Sequence, residues 1–276
     1  MEPGGDSPYK PGAFCWAGLL SSDIGGARRF YREVLGWAGE DGTAEDSRSY
    51  VSLTFAGEAV ALLYELQDWQ RSAGAGPNWA TFVSVEDVDL TAGRAVSLGG
   101  SVAILPYEVA GAGRIAVITD QSGARLSLWQ PLGRLGAARV GALGSLAASE
   151  LVAPDLAVAE RFYAQLFGWE IGRDGDGGAV IDTGGRVPAR VTASVAPHSA
   201  GAHWLPYFRV ARMNTSVRAA ITSAGRLVAG PRDLASGRTA LLRDPQGAVF
   251  GVMQLDAATE LRHAVRLRAD AAESES

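Results

Sequence analysis

A nine-residue segment written twice constrains this chain more than any other feature. Arg29-Phe30-Tyr31-Arg32-Glu33-Val34-Leu35-Gly36-Trp37 returns as Arg161-Phe162-Tyr163-Ala164-Gln165-Leu166-Phe167-Gly168-Trp169, 132 positions further on. An Asp stands six residues upstream of each copy, at Asp23 and Asp155, where a helix N-cap accepts from unpaired backbone amides. Phe30, Val34 and Leu35 share one helical face, as do Phe162, Leu166 and Phe167, and the glycine after each suits a left-handed C-terminal cap. Each copy predicts a capped helix packed on an apolar surface, so the chain is a duplication.

Other landmarks keep the register. Trp79 returns as Trp204, and Asp120-Gln121-Ser122-Gly123 as Asp244-Pro245-Gln246-Gly247. Alternating apolar residues predict strands at 13–20, 48–56 and 59–65 around the first helix, then a strand at 78–85, a helix at 87–98 and strands at 101–109, 114–119 and 125–130. The second half repeats the plan from 146 to 254. Each half therefore reads as two βαβββ modules. The expected divisions are a disordered leader at 1–12, a first domain at 13–133, a Gly- and Ala-rich linker at 134–145, a second domain at 146–255, and a C-terminal helix and tail at 256–276.

Composition excludes several classes. No apolar run among the 276 residues reaches the roughly 18 needed to span a bilayer, and the first residues lack a basic and apolar leader, so a cytoplasmic protein without membrane contact is expected. A net charge of −5 provides no basic surface for nucleic acid. Cys15 is the sole cysteine, which rules out an internal disulfide and a cysteine metal cluster.

The four modules, the Phe-Tyr…Gly-Trp helix end and the Asp-Pro-x-Gly turn before the last strand resemble the glyoxalase, bleomycin-resistance and extradiol-dioxygenase superfamily, the vicinal oxygen chelate proteins. The resemblance spans residues 13–255. It implies an α+β fold of two domains, each with a curved mixed sheet. It leaves activity open, because the superfamily holds metal-dependent isomerases, lyases and dioxygenases beside antibiotic-binding proteins that perform no chemistry. The Cys15-Trp16 opening and the Trp129-Gln130-Pro131 end of the first half are similar to two-domain actinomycete members, some of them encoded with aromatic polyketide pathways.

Metal-using relatives carry His, Gln or Glu on the first and last strands of each module, facing into the cup of the sheet. In this chain those positions fall on or beside Trp16, Leu62, Trp79 and Ser127, then Ala148, Arg190, Trp204 and Gly251. None of these is a good ligand where about three are needed, so no metal or other cofactor is expected. A one-residue slip would bring in His203, with Glu150 two residues along from Ala148. Glu150 is the one candidate acid or base, against the plainer reading of an ion pair with Arg190 or Arg209. Alternation places Trp16, Trp79, Ser127, Trp129, Trp204 and Phe208 on the concave face, with Tyr64, Tyr107 and Tyr207 at the rims. The tryptophans either plug the cup or stack a flat apolar ligand.

The reading that follows is a metal-free binding protein for a planar aromatic natural product or drug, such as an anthracycline-like polyketide, serving self-resistance or handing an intermediate to a partner enzyme. The alternative is an isomerase, cyclase or hydroxylase-like enzyme using Glu150, and a third is a protein-interaction module. Monomer and homodimer both stand. So do two ways of pairing the modules, first with second and third with fourth, or first with fourth and second with third.

Overall fold

The computed structural model describes residues 9–43, 49–72, 74–173, 179–183, 187–193, 201–234, 237–256 and 259. The expected α+β plan of two sheet-dominated domains holds. In the first half, β1 (Phe14–Ser21), α1 (Ile24–Leu35), β2 (Ala38–Thr43), β3 (Ser49–Phe55), β4 (Glu58–Glu65) and a short α2 (Asp68–Ser72) precede β5 (Asn78–Ser84), α3 (Val88–Ser97), β6 (Ser101–Val109), β7 (Gly113–Thr119) and β8 (Arg125–Pro131). The second half runs β9 (Leu146–Ala153), α4 (Leu156–Phe167), β10 (Glu170–Arg173), β11 (Ala179–Asp182), β12 (Ala189–Ala193), β13 (His203–Arg209), α5 (Met213–Thr222), β14 (Arg226–Leu234), β15 (Gly237–Arg243) and β16 (Val249–Leu255).

The duplicated segments are the capped helices their sequences predict. Asp23 accepts from the Gly26 amide, Asp155 accepts from the Val158 amide, and Gly36 and Gly168 close the helices at φ of 74° and 73°. A side chain at either glycine would strain that left-handed turn. Phe30, Tyr31, Val34 and Leu35 are buried on α1, and Phe162, Tyr163 and Leu166 on α4.

Each half builds its own eight-stranded sheet, in the orders β2-β3-β4-β1-β5-β8-β7-β6 and β10-β11-β12-β9-β13-β16-β15-β14. The first and second modules thus join through antiparallel β1 and β5, and the third and fourth through β9 and β13. The helices pair crosswise, α1 on α5 and α3 on α4. Both of the open module pairings therefore occur, one in the sheets and the other in the helices.

The backs of the two sheets meet at their central strands, where β5 approaches β13 and β1 approaches β9. Phe208 lies 4.9 Å from Trp37 and 4.8 Å from Trp79, while Phe14 lies 5.5 Å from Trp169 and 5.4 Å from Trp204, ring centre to ring centre. Two reciprocal hydrogen-bonded chains cross this interface. Trp79 Nε1 donates to the Tyr31 hydroxyl at 2.9 Å, which donates to Asp244 Oδ2 at 3.0 Å in the other half. Trp204 Nε1 donates to Tyr163 at 2.9 Å, which donates to Asp120 Oδ2 at 3.0 Å. Burial, together with each neighbouring carboxylate, pushes both phenols well above the usual tyrosine range.

The described ends of the linking segments are packed. Tyr9 is buried and donates to Ala137 O, Trp169 donates to Gly12 O, and Trp37 donates to Gly144 O. Residues 9–12 therefore depart from the disordered leader expected there, because Tyr9 donates into the linking segment and the Gly12 carbonyl accepts from Trp169 of the other half. The C-terminal helix and tail expected at 256–276 lie, apart from Asp256 and Thr259, outside the described residues, as do residues 1–8 of the leader. No helix among the described residues is long and apolar enough to cross a membrane.

Candidate functional site

The faces of the two sheets turned away from each other form two cups that differ in content. In the first, Trp16 pairs across strands with Phe82, which pairs with Ser127, and Ser84 pairs with Trp129. Trp16, Ser127 and Trp129 thus face this cup as alternation places them. All three are buried, at 4%, 4% and 8% exposure. Arg134, from the segment joining the halves, fills the space between them. Its guanidinium lies 5.9 Å from the Trp16 ring centre and 5.4 Å from that of Tyr50, a cation–π arrangement. It also donates to the Tyr50 hydroxyl at 3.1 Å, while its carbonyl accepts from Trp129 Nε1 at 2.9 Å. Tyr64 and Tyr107 are half-buried; Tyr64 pairs with Tyr50 across strands and Tyr107 with Ile115. The first cup is plugged.

Trp79, Trp204 and Phe208 do not face a cup. The strand register turns Asn78, Ala80 and Phe82 to the first cup and His203, Leu205 and Tyr207 to the second, so the tryptophans and Phe208 point backwards into the inter-domain aromatic core. Alternation misplaces them because β13, His-Trp-Leu-Pro-Tyr-Phe-Arg, is buried on both faces from Trp204 onward and carries no polar stripe to set its phase. Trp79 and Trp204 still line part of the second cup's cavity, together with Pro77, Asn78 and Gly123 of the first half.

That second cup is open, with a cavity of ≈ 730 Å³, within the range of small-molecule sites. Val152, Leu205, Leu241 and Val249 supply apolar wall. The Tyr207 hydroxyl donates to Glu150 Oε2, and Thr192 Oγ1 donates to Glu150 Oε1 at 3.1 Å. Glu150 therefore takes its hydrogen bonds from these two hydroxyls and not from Arg190 or Arg209, although Arg190 stands opposite it across the β9–β12 pair. Arg209 is buried and reaches towards Gly141 O at 3.5 Å. Burial raises the Tyr207 phenol well above its ordinary range, the Glu150 charge and hydrogen bond add to this, and Arg232 and Arg190 oppose it. Tyr207 is thus held as a proton donor at neutral pH.

Sequence reasoning found Glu150 but missed Tyr207 as its donor. The signal was the pairing of Tyr207 with Gly251 on β16. A Cβ on Gly251 would lie 2.2 Å from Tyr207 Cδ1, so the phenol ring lies across the strand only because that residue is glycine. Gly251→Val is expected to displace the ring and lower unfolding stability by about 1–3 kcal/mol. Chemical denaturation would measure it, and a change under about 0.5 kcal/mol would show that the ring is not held there.

His203 also lines this cavity, its Nδ1 2.8 Å from Gly201 O. With Glu150 it makes two potential metal donors. No group of three His, Cys, Asp or Glu side chains suited to a metal occurs among the described residues, so the donor set does not fit the three-ligand centre of metal-using relatives.

Paired βαβββ modules, back-to-back sheets and one open cup define a two-domain protein of the vicinal oxygen chelate type. The chain belongs to the glyoxalase/bleomycin resistance protein/dioxygenase superfamily: the model of that description matches residues 14–128, and that of a glyoxalase-like domain matches residues 148–253. Among its relatives is a Mycobacterium tuberculosis protein named "Putative glyoxylase CFP32", 34% identical over 90% of this chain and 97% of that one. Another is the anthracycline biosynthesis protein DnrV of Streptomyces peucetius, 30% identical over 90% of this chain and 94% of that one. The fold is also that of the 2,3-dioxygenase LapB from Pseudomonas sp. KL28, at TM-score 0.59 and 16% identity over 89% and 93% of the two chains. A Mn(II)-bound glyoxalase from Novosphingobium aromaticivorans likewise gives TM-score 0.59, at 15% identity over 90% and 83%.

Proposed function

We propose that the second cup binds a planar, hydroxylated aromatic small molecule without a metal, in an accessory or self-resistance role in natural-product biosynthesis. The observation that carries this reading is the open cavity itself, walled by Val152, Leu205 and Leu241 and bearing the Tyr207–Glu150–Thr192 group as its fixed polar contact. Apolar walls bury the body of a ligand, and a few placed hydrogen-bonding groups orient it. Its relatives named as anthracycline biosynthesis proteins support an aromatic polyketide as the ligand class.

The test is titration with 1,8-dihydroxyanthraquinone, followed through Trp79 and Trp204, which border the cavity. Saturable quenching is expected, and Ala229→Trp, which puts an indole into the cavity from an exposed edge-strand position, is expected to weaken binding about tenfold or more. Unchanged affinity in that variant would place the ligand elsewhere.

A second reading is acid–base catalysis, favoured by the direct Tyr207-to-Glu150 hydrogen bond, a donor and an acceptor poised on one cavity wall. Glu150→Gln separates the two. A binding protein keeps its affinity within about threefold, whereas an enzyme loses roughly 100-fold or more of its turnover with a substrate of this class.

A further inference from the structure

The charged groups around the second cup invert the balance of the whole chain. The protein carries 30 acidic and 25 basic residues, yet the cavity is lined by Arg125, Arg232 and Arg243 against the single carboxylate of Glu150. Glu150 is already engaged, each of its oxygens accepting one hydroxyl. Some arginines elsewhere on the surface meet carboxylates, as in Arg28 with Asp41, Arg139 with Glu58 and Arg173 with Glu160. Among the described residues none of the three cavity arginines makes an ion pair. Asp233, next to Arg232 in the chain, pairs instead with Arg238 at 2.9 Å. Arg243 has a buried Nε with no hydrogen-bond partner.

Placement follows from the outer hairpin. Thr239, Leu241 and Arg243 alternate onto the cavity face of β15, and Arg232 stands opposite Thr239 on β14. At a rise of about 3.4 Å per residue, Arg232 and Arg243 are anchored roughly 13 Å apart along the strand, with apolar Leu241 between them. Arg125 comes to the same cavity from the first half.

We infer that the ligand of this cup is an acid, a flat aromatic body lying over Leu241 and Leu205 with a carboxylate held by Arg232 or Arg243. The inference rests on the reading of the second cup as an aromatic-binding site. A guanidinium facing an apolar cavity without a carboxylate partner is a fork for a planar oxyanion, able to give two parallel hydrogen bonds. Arg125 and Arg232 are exposed and Arg243 is half-buried, so water screens the Arg243 charge less than the other two, and an anion held there gains most.

Anthraquinone-2-carboxylate and its uncharged amide, titrated calorimetrically into the full-length chain, test this. The carboxylate is expected to bind about tenfold tighter than the amide, with the preference shrinking between about 50 and 300 mM salt. In Arg232→Gln/Arg243→Gln the preference is expected to fall below about threefold while amide affinity holds. Should that variant not fold, the salt dependence of the wild-type preference decides alone. Equal binding of acid and amide, or a preference indifferent to salt, overturns the acid assignment and leaves the aromatic site standing. Failure of both compounds to bind overturns the site and the assignment together.

Discussion

Asp244→Ala is expected to lower the free energy of unfolding by about 3–5 kcal/mol. Asp244 Oδ1 accepts from the amides of Gln246, Gly247 and Ala248 at 3.0, 2.8 and 2.9 Å, and Oδ2 accepts from the Tyr31 hydroxyl. Burial raises the pKa of this carboxyl against the pull of those donors. Ionised Asp244 is therefore held at a cost that its four hydrogen bonds offset. Truncation leaves the Tyr31 hydroxyl and the Gln246 and Ala248 amides without their acceptor at a site that is 4% exposed, while the Gly247 amide keeps the Asp244 carbonyl at 3.1 Å; the cost of orphaned groups exceeds the mean worth of a hydrogen bond. Denaturant titration of Asp244→Ala beside wild type would measure it. A loss under about 1 kcal/mol would mean that water replaces the carboxylate freely and that the two halves are not locked there.

Alkaline solution is expected to unfold the protein steeply above about pH 10. Tyr31, Tyr163 and Tyr207 all have folded-state pKa values raised well above 10.0, by burial first and a neighbouring carboxylate second. A raised phenol contributes stability that is complete below its unfolded value and is lost as pH rises towards its folded one, because the unfolded chain releases protons that the native state retains. The buried Cys15 thiol is raised by burial in the same direction, and the four groups together give a slope of about −5 kcal/mol per pH unit in that window. Denaturant midpoints at about pH 9, 10 and 11 would record it. Tyr207→Phe should reduce the slope by about a quarter, since one of the four raised groups is gone; an unchanged slope would sink the assignment.

The helices, their caps and the four modules were legible because Asp23, Gly36 and their copies are local signals, each specifying a turn on its own. The edge strand β2 was not, since Ala-Gly-Glu-Asp-Gly-Thr has no apolar alternation and is a strand only because β3 pairs with it. At the site, Glu150 stood out as an ionisable residue among apolar neighbours. The facing of Trp79, Trp204 and Phe208 failed for a non-local reason: a strand covered on both faces hides its phase, and the covering here is the other half of the protein. The asymmetry between the cups was likewise out of reach, because Arg134 enters the first cup from a segment that reads as a linker.

The two crossing hydrogen-bonded chains differ greatly in the length of polypeptide they enclose. Tyr163 and Asp120 are 43 residues apart, whereas Tyr31 and Asp244 are 213 apart. A ribosome adding about 5–20 residues per second finishes Asp244 roughly 10–40 s after Tyr31. Throughout that interval α1 exists without its acceptor, and for most of it without α5. The half made first therefore completes its interface last, and a chain stalled short of the final turn leaves its aromatic back uncovered, the surface that chaperones would meet.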